Sequence, residues 1–339
     1  MLVDLRSDTL TKPTPAMLDA MMSAEVGDDV FGEDPTVRAL EEKCARMLGM
    51  EAGLFCPSGT MTNQIAIRIL TQPQDEVICD KRSHIYLHEG GGIAYNSMVS
   101  VELLDGDRGR IAPEQIASAI KPLDIHSPRT SLVSLENTMN KGGGSFYRLD
   151  QIASIHQVCK QYGLKMHMDG ARLFNALAET GENSVDYGKY FDTISICLSK
   201  GLGAPVGSLL LSNRDNIERA KRVRKVFGGG MRQSGYLAAA GIYALDHHVG
   251  RLKEDHRKAR QIAEILKKCD FVESVEPADT NIIIFSLKQG FTVPDILAKM
   301  KGQQILALGF GAGSIRMVTH LHIDEDMIGY MREKLSSMK

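Results

Sequence analysis

Short apolar runs, each bounded by Gly, Pro or Asp, alternate along this chain with stretches in which apolar positions recur at helical spacing. The runs predict strands at Leu54–Cys56, Glu76–Cys79, Val99–Leu103, Ser131–Leu135, Lys165–Met168, Thr193–Cys197 and Ser208–Leu211. The amphipathic stretches predict helices over Thr36–Leu48, Thr60–Leu70, Pro113–Ile120, Leu149–Tyr162, Asn213–Val226 and Arg232–His247. Strand and helix in repeated alternation bury a sheet on both faces, so the expected class is α/β, a mainly parallel seven-stranded sheet covered by helices.

Near residue 249 the rhythm changes. A long charged helix, Arg251–Lys268, leads into strands near Ile282–Leu287, Gln304–Leu306 and Ile315–Val318, set among helices Val293–Lys301 and Glu325–Ser337. This predicts an arm at 1–14, punctuated by Lys12-Pro13-Thr14-Pro15, a large domain at 15–248 and a smaller α+β domain at 249–339.

Composition narrows the class without naming a reaction. With 43% hydrophobic and 24% charged residues, the 339-residue chain has the makeup of a folded enzyme-sized protein. Forty basic against 42 acidic side chains leave a formal charge of −2, which calls for neither nucleic acid nor an anionic membrane as partner. The six cysteines are scattered, with no Cys-x-x-Cys pair, and read as reduced buried thiols. The charged start, Met1-Leu2-Val3-Asp4-Leu5-Arg6, does not suit a signal peptide, so a cytoplasmic location is expected.

Three strand ends carry candidate chemistry. Phe55-Cys56-Pro57-Ser58-Gly59-Thr60 runs from a strand through a tight turn into a helix, whose free N–H groups and hydroxyls suit a phosphate, although Ser and Thr at such places also serve simply as caps. Asp169 closes the Lys165–Met168 run, where an acid is either a turn former or a residue aimed into the crevice at the carboxyl ends of parallel strands. Lys200 follows Thr193–Cys197, as a surface lysine or as a partly desolvated, nucleophilic amine. A phosphate cup, an acid and an amine are together the three anchors of pyridoxal 5'-phosphate: the amine condenses with the aldehyde, and the acid keeps the pyridine nitrogen protonated. No nucleotide-binding glycine motif competes.

The full motif set resembles the low-specificity L-threonine aldolase family, which is pyridoxal-phosphate-dependent and has the type I fold of aspartate aminotransferase. It comprises Asp4-Leu5-Arg6-Ser7-Asp8-Thr9, Ser58-Gly59-Thr60-Met61-Thr62-Asn63-Gln64, Asp169-Gly170-Ala171-Arg172, Leu198-Ser199-Lys200-Gly201-Leu202-Gly203, Gly228-Gly229-Gly230-Met231-Arg232-Gln233 and Arg316-Met317-Val318-Thr319-His320. The resemblance implies retro-aldol cleavage of L-threonine, L-allo-threonine and related β-hydroxy-α-amino acids to glycine and an aldehyde, by a homotetramer whose sites lie at dimer interfaces.

It also implies roles. Lys200 forms the Schiff base, Asp169 pairs with the pyridinium and Arg172 sits beside the ring, near its 3-hydroxyl and the substrate. Ser58, Gly59 and Thr60 hold the phosphate, helped by Arg232 and Lys225 across a subunit boundary; Lys225 also belongs to a charge run, Lys221–Lys225, of the kind that faces water. His84 stacks over the ring with Glu89 orienting it or a water, His126 meets the substrate β-hydroxyl, and Ser7 and Arg316 clamp the α-carboxylate. His84, His126 or a water is the base. Met139 departs from the family, which usually has histidine there, and is expected to reshape the pocket. His320 and His322 lack an evident third ligand, so no metal is expected. A β-eliminating lyase, an aminotransferase and a non-catalytic cofactor-binding protein on the same fold are the competing readings.

Overall fold

The computed structural model describes residues 1–338. All seven expected strands form one sheet, in the spatial order Ala52–Cys56, Ser208–Ser212, Thr193–Cys197, Lys165–Gly170, Arg129–Glu136, Asp75–Asp80 and Ser100–Leu104. Six strands run in one direction. Ser208–Ser212 is inserted antiparallel to both its neighbours, with Cys197 opposite Ser208 and Cys56 opposite Ser208 on the other side. Because the parallel strands share a carboxyl end, Glu136 lies beside Asp169 in register, and the candidate residues gather along that edge.

Helices cover both faces, as the strand composition requires; Leu135, Met168, Ile196 and Leu209 are buried in the largest core cluster. Three α-helices escape the periodicity reading, the shortest being His84–Leu87 at four residues. Pro15–Met22 begins within the stretch expected to end an arm, and its signals are plain in retrospect: Thr14 Oγ1 accepts from Met17 N at 3.3 Å, and proline occupies the first helical position. Leu173–Thr180 is only two turns long, too short for its period to show.

The C-terminal part builds a four-stranded antiparallel sheet, ordered Leu308–Gly309, Ser314–Val318, Ile282–Leu287 and Val272–Val275. Ile305–Leu306, expected as a strand of that sheet, instead pairs in parallel with Val3–Asp4. Val3 and Leu5 are thereby fully buried in the C-terminal core, among Ile283, Phe285 and Met317. The Leu252–Leu266 helix bridges the two parts, with Leu252 in the large core and Ile262 in the small one.

Candidate active site

The Gly59–Leu70 helix is the organising element. Ser58 caps it in an extended conformation (φ −152°, ψ 156°), its hydroxyl accepting from Met61 N at 3.2 Å, so the N–H groups of Gly59 and Thr60 remain available to an anion. Gly59 is required by crowding: a Cβ there would stand 2.6 Å from Cys197 Sγ. That same sulfur lies 3.2 Å from Lys200 Nζ and 3.3 Å from Ser208 Oγ, which puts the lysine amine next to the phosphate turn. Gly59→Ala is expected to weaken cofactor retention, and Cys197→Ala to restore part of it, as read by fluorescence titration of cofactor onto stripped protein; equal retention in wild type and Gly59→Ala would dismiss the crowding argument.

One turn along, about 6 Å up the helix axis, Asn63 reaches the acid end of the site. Its amide donates to Asp169 Oδ2 and to Glu89 Oε1, both at 2.9 Å. Asn63 is oriented from behind: burial holds His167 neutral, its pKa lowered to about 4. Nε2–H of that ring donates to Asn63 Oδ1 at 3.1 Å, and Nδ1 accepts from the Thr193 hydroxyl at 2.8 Å. The sequence reading includes Asn63 in the Ser58–Gln64 motif but gives it no role, and treats His167 only as an alternate position on a strand.

His84 opens a short helix and touches the acids from above. Its Nδ1 lies 2.9 Å from Glu89 Oε1, while its backbone N–H donates to Glu136 Oε2 at 2.7 Å. Gly90 and Gly91, with φ of 62° and 74°, let the chain turn sharply after Glu89 so that this carboxylate points back into the site, where Gln64 also donates to it at 2.7 Å. Burial pulls the His84 pKa down, but the hydrogen bond it donates to Glu89 and the charges of Asp169, Glu89 and Glu136 outweigh it and raise the pKa. Burial, followed by the charge of Asp169, pushes the Glu136 carboxyl up to about 7. The ligand atoms of His84, Glu89 and Asp169 lie within 4.8 Å of one another, a spacing a cation would also suit, and the amides of Asn63 and Gln64 fill it with proton donors instead.

Ser7 and Arg316 meet across the N-terminal arm. Arg316, on Ser314–Val318, donates to Asn140 Oδ1 at 2.8 Å and to the backbone oxygen of Arg6 at 3.3 Å, next to Ser7. Ser7 Oγ itself accepts from Thr9 N at 3.2 Å, and the Arg316 Nε is buried without a partner. Arg172 makes a two-pronged bond to Asp8, both contacts 2.7 Å, with both side chains buried. Asp8, overlooked in the sequence reading, stands beneath the lysine: an added Cβ on Gly201 would be 4.0 Å from its Oδ2.

Three expected residues are not gathered with the rest in one protomer. His126 is exposed in the loop before Arg129–Glu136, at the opposite end of the strand from Glu136, roughly 20 Å away along an extended chain. Arg232 is held by Asp28 at 2.8 Å, and Lys225 lines a cavity of about 770 Å³ with Asp29, Phe31 and Arg224. Met139 is fully buried against Gly109, where an added Cβ would come within 2.2 Å of Met139 Cε, so its side chain packs under the loop rather than into the pocket.

Thus a type I pyridoxal-phosphate fold carries an amine, an acid and a helix N-terminus in the arrangement of a lyase, and residues 4–289 match the model of the beta-eliminating lyase family. The chain is 42% identical to the low specificity L-threonine aldolase of Escherichia coli K12 over 96% of each protein, and 40% identical to low-specificity L-threonine aldolase 1 of Arabidopsis thaliana over 97% of this chain and 94% of that one. The structure of Leishmania major threonine aldolase superposes with a TM-score of 0.84 over 98% of both chains at 22% identity, which establishes the shared fold. The chain belongs to the low-specificity L-threonine aldolase family.

Proposed function

We propose that the protein is a pyridoxal-phosphate-dependent aldolase that cleaves L-threonine, L-allo-threonine and related β-hydroxy-α-amino acids to glycine and an aldehyde. The observation that carries this reading is the Gly59–Leu70 helix, which links Lys200 through Cys197 at its first turn and Asp169 through Asn63 at its second. Those residues fit the cofactor: Ser58, Gly59 and Thr60 for its phosphate, Asp169 for its ring nitrogen, Lys200 for its aldehyde, with Arg172 beside them. When bound, the cofactor supplies an electron-withdrawing ring that allows a bond at the amino acid's Cα to break.

The chain's own residues do the rest. Arg316 and Ser7 hold the α-carboxylate, which turns the Cα–Cβ bond toward the orientation that cleaves. Glu89 engages His84 Nδ1, leaving Nε2 to take the β-hydroxyl proton. His126 serves that hydroxyl only from a second protomer, and Arg232 and Lys225 reach a phosphate only across the same boundary, so the active form is an oligomer, a homotetramer built as a dimer of dimers. Among the described residues no helix is long and apolar enough to cross a membrane; the location we propose is the cytoplasm.

Purified, cofactor-loaded protein is expected to release glycine and acetaldehyde from L-threonine and L-allo-threonine. Cleavage of neither would end the proposal, and pyruvate with ammonia from L-serine would move the chain to β-elimination. Glu89→Gln is expected to lower kcat roughly 10- to 100-fold and, by removing the charge that raises the His84 pKa, to shift the acid limb of the kcat/KM profile to lower pH. An unmoved acid limb would separate Glu89 from the base.

A further inference from the structure

The mouth of the site holds more positive charge than an α-carboxylate requires. Lys141 stands in the Asn140–Gly142 turn, immediately after the residue whose side chain receives Arg316 at 2.8 Å. The Phe310 ring is shared by both cations: Lys141 Nζ lies 4.8 Å from its centre and Arg316 Cζ 5.8 Å. One aromatic face offsets part of the repulsion between two cations but neutralises neither. Among the described residues, no carboxylate comes within ion-pair distance of Lys141 or of Arg316, whereas the buried Arg172 is paired with Asp8 and the buried Arg224 with Asp29.

A second imidazole completes the group. His88 N bonds to the backbone oxygen of His84 at 2.9 Å, one helical turn on, and the two rings sit 5.5 Å apart. Burial first, then the charges of His84, Lys141 and Arg316, lower the His88 pKa, so Lys141 and Arg316 both bear on the space in front of His84. Arg316 is also depressed, by burial and then by Arg172. Two cations, Lys141 and Arg316, thus stand beside the His84 and His88 rings where a substrate must enter, and an amino acid's single α-carboxylate balances one of them.

We propose that this mouth recognises a second carboxylate, carried on the β-substituent of the substrate and paired with Lys141, with the His88 ring as a hydrogen-bonding neighbour. The preferred substrates are then β-hydroxy-α-amino diacids, of which 3-hydroxyaspartate is the smallest. This rests on the retro-aldol reading above and names the substrate class of that site. Cleavage of 3-hydroxyaspartate breaks its Cα–Cβ bond; the β-hydroxyl loses its proton as its oxygen becomes an aldehyde carbonyl, Cα gains a proton, and glycine and glyoxylate leave. No oxidant or reductant enters.

The test compares 3-hydroxyaspartate with 3-hydroxyasparagine, which differs from it only in charge at the far end, on the cofactor-loaded protein. The wild type is expected to favour the diacid in kcat/KM by roughly tenfold, mostly through KM. Lys141→Met brings that ratio to about one, Lys141→Arg keeps it, and Lys141→Glu inverts it. Equal kcat/KM for the two substrates in the wild type, or a preference that survives in Lys141→Met, overturns the proposal. Calorimetric binding of L-aspartate against L-asparagine to the same four proteins gives a readout independent of turnover: the aspartate preference must follow the charge at position 141. Should no β-hydroxy amino acid be cleaved, the aldolase reading fails by itself, and the binding comparison still decides the role of the lysine.

Discussion

Lys200→Ala is expected to lose the visible absorption band of the cofactor-loaded protein, the band that borohydride bleaches in the parent, and to lower kcat/KM for L-threonine by about 10³-fold or more. The amine is placed for condensation rather than for structure. Its recorded hydrogen-bond partner is a thiol, Cys197 Sγ at 3.2 Å, a weak acceptor that leaves the nitrogen free to attack a carbonyl. Asp8 feels its charge, so removing the lysine also alters electrostatics beneath the site. Lys200→Arg separates the two effects, because a guanidinium keeps the charge and cannot condense. It should fail as completely as alanine in turnover and in the borohydride reaction, while remaining folded by circular dichroism. A band that persists in either variant would remove Lys200 from the chemistry.

The second large effect is on stability. Asp8→Ala is expected to cost about 3–5 kcal/mol, because it leaves the buried Arg172 guanidinium without its counter-ion. Burial alone would push the Asp8 pKa up; the charge and hydrogen bonds of Arg172 outweigh it and hold the pKa at about 2. An unfolded aspartate titrates near 3.9, so the folded state favours the ionised form. The contribution is therefore complete above about pH 4 and is lost as pH falls toward 2. Urea unfolding at pH 7 should show the full penalty of Asp8→Ala, and the gap from wild type should narrow at the lowest pH at which both proteins fold. Asp8→Ala combined with Arg172→Leu should recover part of the loss at neutral pH, since no charge is then stranded. A single-variant penalty below about 1 kcal/mol, the scale of exposed pairs, would mean that water reaches Arg172.

The strands were legible because each is an apolar run closed by a turn residue, and burial on both faces leaves little polar interruption to confuse the pattern. Direction was not legible: Ser208–Ser212 reads like its neighbours, and only the long Leu198–Gly207 turn, which carries the lysine and doubles back on itself, makes it antiparallel. Within the site, residues at strand ends and turns stood out, as Ser58, Asp169 and Lys200 did. Those that act by reaching across the fold did not. Asp8 meets Arg172 from 164 positions away, and Asn63 meets Asp169 from 106, so no local window holds both partners. Glu136 closes an ordinary strand, and its buried carboxyl gains meaning only when the sheet register sets it beside Asp169. His126, Arg232 and Lys225 illustrate the converse: only the family resemblance gave them site roles, and within one protomer His126 lies exposed in a loop and Arg232 is held by Asp28.

The pairing of Val3–Asp4 with Ile305–Leu306 has a consequence for biosynthesis. Every strand of the large sheet lies in sequence between these two partners, so that sheet is complete in the nascent chain while Val3–Asp4 is still undocked. Val3 and Leu5 have no native burial until Ile305–Leu306 and the small core around it have been made. Closure of that ring is a late event, which makes Val3–Asp4 a segment open to a chaperone while the large sheet is already folded.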